Sequence, residues 1–289
     1  MSKIVVVGSI NVDLTVSCSR FPQVGETMYG ETFGSFFGGK GANQAVACKR
    51  LGADVTMVGC IGKDANGQSV IDNFKNEGIN IEHIKVTDAP TGVAVITVAE
   101  NDNEIIVIKG ANSLVTKDLV DEAINEILEA DMVVMQLEIP LETVAYTLEI
   151  CKKNNIKVLL NPAPYCEIPK EFMDLVTYIT PNETETKMMF DMPFDKALEK
   201  YPNKLIMTCG SKGVYYNNGE KLVNCPANKC KVVDTTGAGD TFNGGLAIAI
   251  CENKSLEEAI NFAQKASSIA IGKMGAQTAM PKREEIENE

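Results

Sequence analysis

Six short apolar runs recur along the chain: "KIVVVG", "ADVTMVG", "DMVVMQL", "IKVLLN", "TYIT" and "KLIMTC". Their apolar residues are consecutive rather than alternating, which is the pattern of strands buried on both faces of a parallel sheet. Helical patterns fill the gaps. "ANQAVACKRLG" closes on Gly52, "GQSVIDNFKNEG" closes on Gly78, and "TKDLVDEAINEILEA" opens on a Thr116 cap, while "LETVAYTLEICKKNN" and "SLEEAINFAQKASSIAIGKMG" complete the set. Strands alternating with helices of this length specify βαβ units. The expected fold class is therefore α/β: one domain over residues 1–289 with a doubly wound, mostly parallel sheet flanked by helices. A chain of 289 residues that is 45% hydrophobic can bury the core such a domain needs.

Two segments break the rhythm, residues 14–38 and 91–109. Both are free of helical pattern and read as short alternating strands with turns such as "ENDNE". We expect them to form one small antiparallel sheet, a lid projecting from the main domain; an edge meander packed on the main sheet is the other arrangement the pattern allows. A net charge of −12 excludes a broad basic face for nucleic acid or an anionic membrane. The start "MSKIVVVGSINVD" enters a strand at once, and no apolar run approaches the ~20 residues that cross a bilayer, so the expected location is the cytoplasm. The nine cysteines include no pair with the two-residue spacing of zinc or redox sites and read as reduced thiols. His83 is the only histidine, which excludes a His-rich metal centre and argues against a Ser-His-Asp triad; it is expected at the surface or on an edge strand. The acidic end "REEIENE" reads as a solvated helix or tail.

Open parallel sheets bind ligands beyond the carboxyl ends of their strands. There the sequence places Asn11 and Asp13, Glu138, Asn161, Asn182 with Glu185, and Thr208 with Gly210. Each alone reads as a turn or cap residue; sharing one edge, they suggest a cleft for a polyhydroxylated or phosphorylated ligand. Two glycine-rich stretches lead into helices. In "FFGGKGANQAVA", Gly38, Gly39 and Gly41 leave the backbone bare beside Lys40 and Asn43, and such a helix N-terminus suits electronegative oxygens. In "VVDTTGAGDTFNGGLAIAI", Gly237, Ala238 and Gly239 strip the helix entrance around Asp240. Farther on, Gly244 and Gly245 each cost roughly 1 kcal/mol relative to alanine, which close approach of a backbone or ligand must offset. Neither stretch is a Walker A loop, and no G-x-G-x-x-G follows the first strand. A P-loop enzyme and a dinucleotide-binding dehydrogenase are both disfavoured.

With those motifs in order, the sequence resembles the ribokinase or PfkB-type carbohydrate kinase family from Ile4 to about Pro281. "GGKGANQAVA" is similar to its first signature and "DTTGAGDTFNGGL" to its second, with "SINVD", "MQLE", "NPAP" and "TPNETE" between them. The resemblance implies ATP-dependent phosphorylation of a sugar, with ribose the first expectation, and a β-sheet lid that often contributes to a homodimer. It implies Asp240 as catalytic base beside an anion hole of Gly237, Ala238 and Gly239. Sugar contacts are implied at Asn11, Val12, Asp13, Gly39, Lys40, Gly41, Ala42, Asn43 and Glu138. ATP contacts are implied at Asn182, Thr208, Cys209, Gly210, Ser211, Lys212, Gly213, Gly239, Asp240 and, near the adenine, Gln264. Glu185 corresponds to the N-x-x-E element associated with Mg2+. A monovalent cation, usually K+, is implied at Asp234, Thr236, Ala270, Lys273, Gly275 and Ala279. Ala279 departs from the family's common serine, which puts K+ activation in question. Another pentose or a nucleoside as acceptor, and a non-catalytic sugar-binding protein, are the competing readings.

Overall fold

The computed structural model describes residues 1–100 and 102–287; Asn101 of the expected "ENDNE" turn, and Asn288 and Glu289 of the acidic tail, lie outside the described residues. Six parallel strands form the main sheet: β1 (Lys3–Val7), β4 (Asp54–Gly62), β5 (Ile84–Thr87), β8 (Met132–Met135), β9 (Lys157–Leu160) and β10 (Tyr178–Ile179), in the order β10-β9-β8-β1-β4-β5. A three-stranded antiparallel sheet of β11 (Ile206–Thr208), β12 (Val214–Asn217) and β13 (Leu222–Cys225) continues it beyond β10. The join is a pair of parallel bridges, Ile179 to Leu205 and Asn182 to Thr208.

Consecutive apolar residues on the strands supply two cores because their side chains alternate across the sheet. On one face Ile4, Val6, Val55, Met57, Met132, Val134 and Leu159 pack against α1 (Lys40–Arg50), α2 (Ala65–Glu77), α9 (Ala238–Cys251), α10 (Leu256–Ala270) and α11 (Arg283–Glu287). On the other, Val5, Val7, Val58, Val133, Met135, Val158 and Leu160 meet α3 (Lys117–Glu122), α4 (Ile124–Glu129), α5 (Leu141–Lys153), α6 (Phe172–Leu175), α7 (Glu183–Met189) and α8 (Phe194–Lys200). Full burial of each such side chain contributes roughly 1.5–3 kcal/mol.

Two expected helices change length. The helix expected over 116–130 breaks at Ala123, whose amide is shared between the Leu119 and Val120 carbonyls; the break lets Leu119, Val120 and Ile127 all reach one core. The last long helix stops at Ala270 because the Ile271 carbonyl accepts from the amides of Val233 and Asp234, which ties the chain before α9 to the end of α10. His83 is partly buried just before edge strand β5, with Nε2 3.0 Å from Glu126 Oε2. Among the described residues, no helix is long and apolar enough to cross a membrane.

The two rhythm-breaking segments do form one separate sheet, of β2 (Asn11–Ser17), β3 (Thr32–Gly38), β6 (Gly92–Ala99) and β7 (Asp102–Ile108), in the order β3-β2-β6-β7. It is mixed rather than antiparallel, since β2 and β6 run parallel. The physical reason is the connection: β6 returns through β4, α2 and β5 rather than by a hairpin. β2 also starts three residues before the expected segment, so Asn11 and Asp13 lie at its start, where it leaves the main domain. Every residue of β7 is exposed, which excludes an edge meander packed on the main sheet.

Candidate active site

The chain leaves β1 toward β4 on one side and later fills β8 on the other, so the crevice between the ends of β1 and β8 is the switch point of the sheet. Ser9, just past β1, donates from Oγ to Glu138 Oε2 at 2.5 Å. The first amides of α1 are then satisfied internally: Lys40 N donates to Glu138 Oε2 at 3.0 Å, Gly41 N to Ser9 Oγ at 3.2 Å and Ala42 N to the Ser9 carbonyl at 2.8 Å. This corrects the expectation that this helix start awaits ligand oxygens. The chain supplies its own anion there, and Glu138 completes the charge that the helix dipole favours. Ala42 and Val12 are buried with the core, and Ala42 has no free polar group to offer a ligand.

Asp240 stands in the first turn of α9, beside this corner, and is buried. Both carboxylate oxygens are held: Oδ2 accepts from Asn43 Nδ2 and Oδ1 from Gln44 Nε2, each at 2.9 Å. Burial raises its proton affinity above the ordinary aspartate value, although the Lys40 charge and the two amide donors pull against it. Asp13 is pushed up to about 6, by burial first and then by the charges of Glu138 and Asp240. Burial alone lowers the Lys40 ammonium, but Asp240, Glu138, Glu185 and Asp13 together hold it above its usual range. Asn11 Oδ1 accepts from Asn112 Nδ2 at 2.7 Å, so its own NH2 group is the end left to face a ligand. The corner thus offers acceptors at Asp13 and Asp240 and donors at Asn11 and Lys40.

Behind Asp240 opens a cleft of about 650 Å³ lined by Thr208, Gly210, Ser211, Gly213, Ala238, Gly239 and Gln264, with Val214, Val232, Phe242 and Ile271 as apolar walls. Gly237 is the N-cap of α9 at φ 74°, a left-handed conformation that glycine adopts without strain, and no side chain caps the helix. A Cβ on Gly239 would meet no protein atom within 4 Å, so its bareness serves the cleft and not the packing. Of the three amides expected to form the anion hole, that of Ala238 donates to the Thr235 carbonyl at 3.2 Å. Gly244 and Gly245 have a different reason: Cβ atoms there would lie 2.5 Å from Ala47 Cβ and 2.9 Å from Ala263 Cα, so they admit α1 and α10 against α9.

Similarity to known proteins shows the family of the chain. The sequence pattern of the pfkB family carbohydrate kinases matches residues 1–283. The chain belongs to this family. A ribokinase of Lactococcus lactis is 47% identical over 99% of this chain and 96% of its own, and one of Bacillus subtilis is 44% identical over 99% of both. The structure of an Arabidopsis thaliana ribokinase complexed with ribose and ATP superimposes with a TM-score of 0.93 at 33% identity, covering 100% of this chain and 98% of that one.

The remaining residues of this carbohydrate kinase divide between the cleft and elsewhere. Cys209 and Lys212 line a second cavity of about 490 Å³ instead of the first, because residues around the tight turn 210–212 point in successive directions. Lys212 Nζ pairs there with Glu183 at 2.8 Å. Asn182 and Glu185 form a capping box on α7: Asn182 Oδ1 accepts from Glu185 N at 2.8 Å and Glu185 Oε2 from Asn182 N at 2.9 Å. The cap reading of Asn182 therefore holds structurally. Burial raises the Glu185 carboxyl, against the Asn182 amide and the Lys40 charge. Asp234 Oδ1 accepts from Thr236 N and Oγ1, and its Oδ2 accepts from Gly275 N at 2.9 Å. Burial pushes its carboxyl up, but those donors outweigh it and hold it below the usual range. Ala270 and Ala279 are buried, while Lys273 Nζ turns to Glu285. Sequence reasoning passed over Ser9, Gln44, Asn112 and Gln136. Gln136 carried a signal, a lone amide at the end of the wholly apolar run "MVVM"; Asn112 carried none.

Proposed function

We propose that this kinase transfers the γ-phosphoryl group of ATP to the 5-hydroxyl of D-ribose, giving ribose 5-phosphate and ADP. The observation that carries the reading is the position of Asp240. It is a buried carboxylate of raised proton affinity in the first turn of a bare helix, between a polar corner fit for ring hydroxyls and a cleft of nucleotide size. Asp240 takes the proton of the 5-hydroxyl as that oxygen forms its bond to phosphorus; the bond to the ADP oxygen breaks and ADP leaves with the electron pair. The start of α9 stabilises the charge on the equatorial oxygens, with Gly237 and Gly239 as its open donors, and one such donor is worth roughly 10²-fold to 10³-fold in rate. Asn11, Asp13, Lys40, Asn43 and Glu138 bind the sugar, with the backbone of Gly39 and Gly41 closing the corner. A sugar lacking a hydroxyl leaves buried partners unpaired and is rejected. Thr208, Gly210, Ser211, Gly213 and Gln264 line the nucleotide side.

Glu185, with one oxygen beyond its capping bond, would hold Mg2+ through water, and the ion would supply positive charge against the phosphates of ATP. Asp234 and the backbone oxygens of Thr236, Ala270, Lys273 and Gly275 are the ligands read for K+, which takes oxygen donors, and Asp234 already ties Thr236 to Gly275. Ala279 adds no side-chain oxygen, so K+ activation is expected to be weak. The lid is read as a dimerisation surface, because Phe33, Val95, Ile106 and Ile108 share one face in the strand register and are all exposed. Nine free cysteines and the use of ATP fit the cytoplasm.

The test is ADP release from MgATP with ribose, 2-deoxyribose, common nucleosides and fructose 6-phosphate, each in K+ and in Na+. Ribose is expected to give the highest kcat/KM. Turnover confined to a nucleoside would move the acceptor, and none with any acceptor would favour a binding protein.

A further inference from the structure

The carboxylate assigned as base is held by a side chain with no exposed surface. Gln44 is fully buried, and its Nε2 donates to Asp240 Oδ1 at 2.9 Å and to Asn161 Oδ1 at 3.2 Å. Asn161 must present its oxygen there, since its own NH2 donates to the Thr180 carbonyl. Two acceptors on one side fix the Gln44 amide with NH2 toward Asp240. Its oxygen, on the other side, accepts from Gln136 Nε2 at 2.7 Å. Gln136, at the end of β8, is itself fully buried, and its Oε1 has no donor among the described residues. It sits where a Cβ on Gly8 would collide with it, so the backbone just past β1 leaves room for this amide. A buried acceptor without a partner is unfavourable, and an apolar side chain of the same shape would pack better at that depth. Packing alone does not explain Gln136.

We infer that Gln44, locked by Gln136, is a positioning residue that fixes the lone pair with which Asp240 receives the sugar proton. The inference rests on Asp240 being the base. With Asn43 on Oδ2 and Gln44 on Oδ1, each oxygen keeps one free lone-pair direction, and the carboxylate plane cannot turn. Were the Gln44 amide to rotate, its oxygen would face Oδ1, repel it and swing the plane away from the attacking hydroxyl. Gln136 Nε2 prevents that rotation.

The test uses Gln136→Met, which removes the lock without touching Asp240, Asn43 or the sugar corner. The expected result is a folded enzyme with KM for ribose and ATP within about twofold of the parent and kcat lowered roughly tenfold or more, since small misplacements of reacting groups cost that much. Gln44→Met, which deletes the donor itself, is the second variant should the first fail to fold. A carboxylate with one donor fewer is more basic, so the acid limb of its kcat–pH profile should move to higher pH. Lys40, Asp13 and Glu138 are the charged groups facing Asp240, and all three are unchanged in both variants. Gln44→Glu should shift the limb the same way by adding a like charge. Unchanged kcat and pH limb in the folded variants, or a KM effect alone, overturns the inference. Asp240→Asn run in parallel separates the two ideas: an active Asp240→Asn removes the base, while an inactive one beside a fully active Gln136→Met removes only the positioning role.

Discussion

At the scale of single residues the site works by setting proton affinities against one another. Asp240 is expected to be indispensable: Asp240→Asn should retain the fold and lose about 10²-fold to 10⁴-fold in kcat, as read by ADP release. Asp13 gives a pH signature. Its folded value of about 6 lies above the ordinary 3.8, so between those values the folded chain binds more protons than the unfolded one. Its contribution therefore favours the fold below that window and is lost as pH climbs through 6. Asp13→Asn should raise stability at neutral pH by roughly 1–3 kcal/mol, seen as a higher Tm at pH 7 than the parent with little difference near pH 4. The same variant should weaken ribose binding, because an ionised Asp13 is the acceptor the sugar needs; an unaltered KM would remove Asp13 from the sugar corner. Asp240 and Asp13 were both legible in the sequence from their places after glycines and a strand. Of the two buried amides that hold Asp240, Asn43 was legible beside its glycines and Gln44 was not, because a Gln in an apolar run looks the same whether it holds a carboxylate or merely satisfies a neighbour.

At the scale of elements, the glycines of α9 separate packing from chemistry. Gly239 faces open space and is free of backbone strain. Gly239→Ala is expected to leave Tm unchanged or slightly higher and to cut kcat by about 10²-fold, since a methyl group would occupy the approach of the phosphate to the helix start. Gly244→Ala should do the reverse, destabilising by roughly 1–3 kcal/mol through its clash with Ala47 while the surviving enzyme turns over normally. Thermal melts and turnover on both proteins check the pair, and a parallel loss of activity in both would mean that α9 as a whole, not its entrance, is the sensitive part. The sequence located both glycine pairs, but the two causes became separable only when α1 and α10 were seen against one end and a cleft at the other. The start of α1 makes the same point in the opposite direction. Its glycines looked as open as those of α9, and Glu138 and Ser9, from the ends of two other strands, had already closed it.

At the scale of the molecule, the lid carries the remaining prediction. Its exposed apolar face is too continuous for a surface that meets only water. Light scattering is expected to give a dimer for the parent and a monomer for Ile106→Lys, whereas a monomeric parent would leave that face without its proposed partner. The amino-acid sequence by itself determined the α/β class, the division into a main sheet and a separate small sheet, and the sheet edge along which the candidate site residues lie. Each follows from the local periodicity of apolar residues and from glycines whose spacing survives without tertiary context. The tertiary structure alone decided that β2 and β6 run parallel, that Cys209 and Lys212 face away from the cleft, and that one glycine-rich helix start is capped while the other is bare. Those features depend on which distant backbone or side chain arrives at a given point, through crossovers and hydrogen bonds spanning a hundred residues or so, and local pattern carries no record of such arrivals.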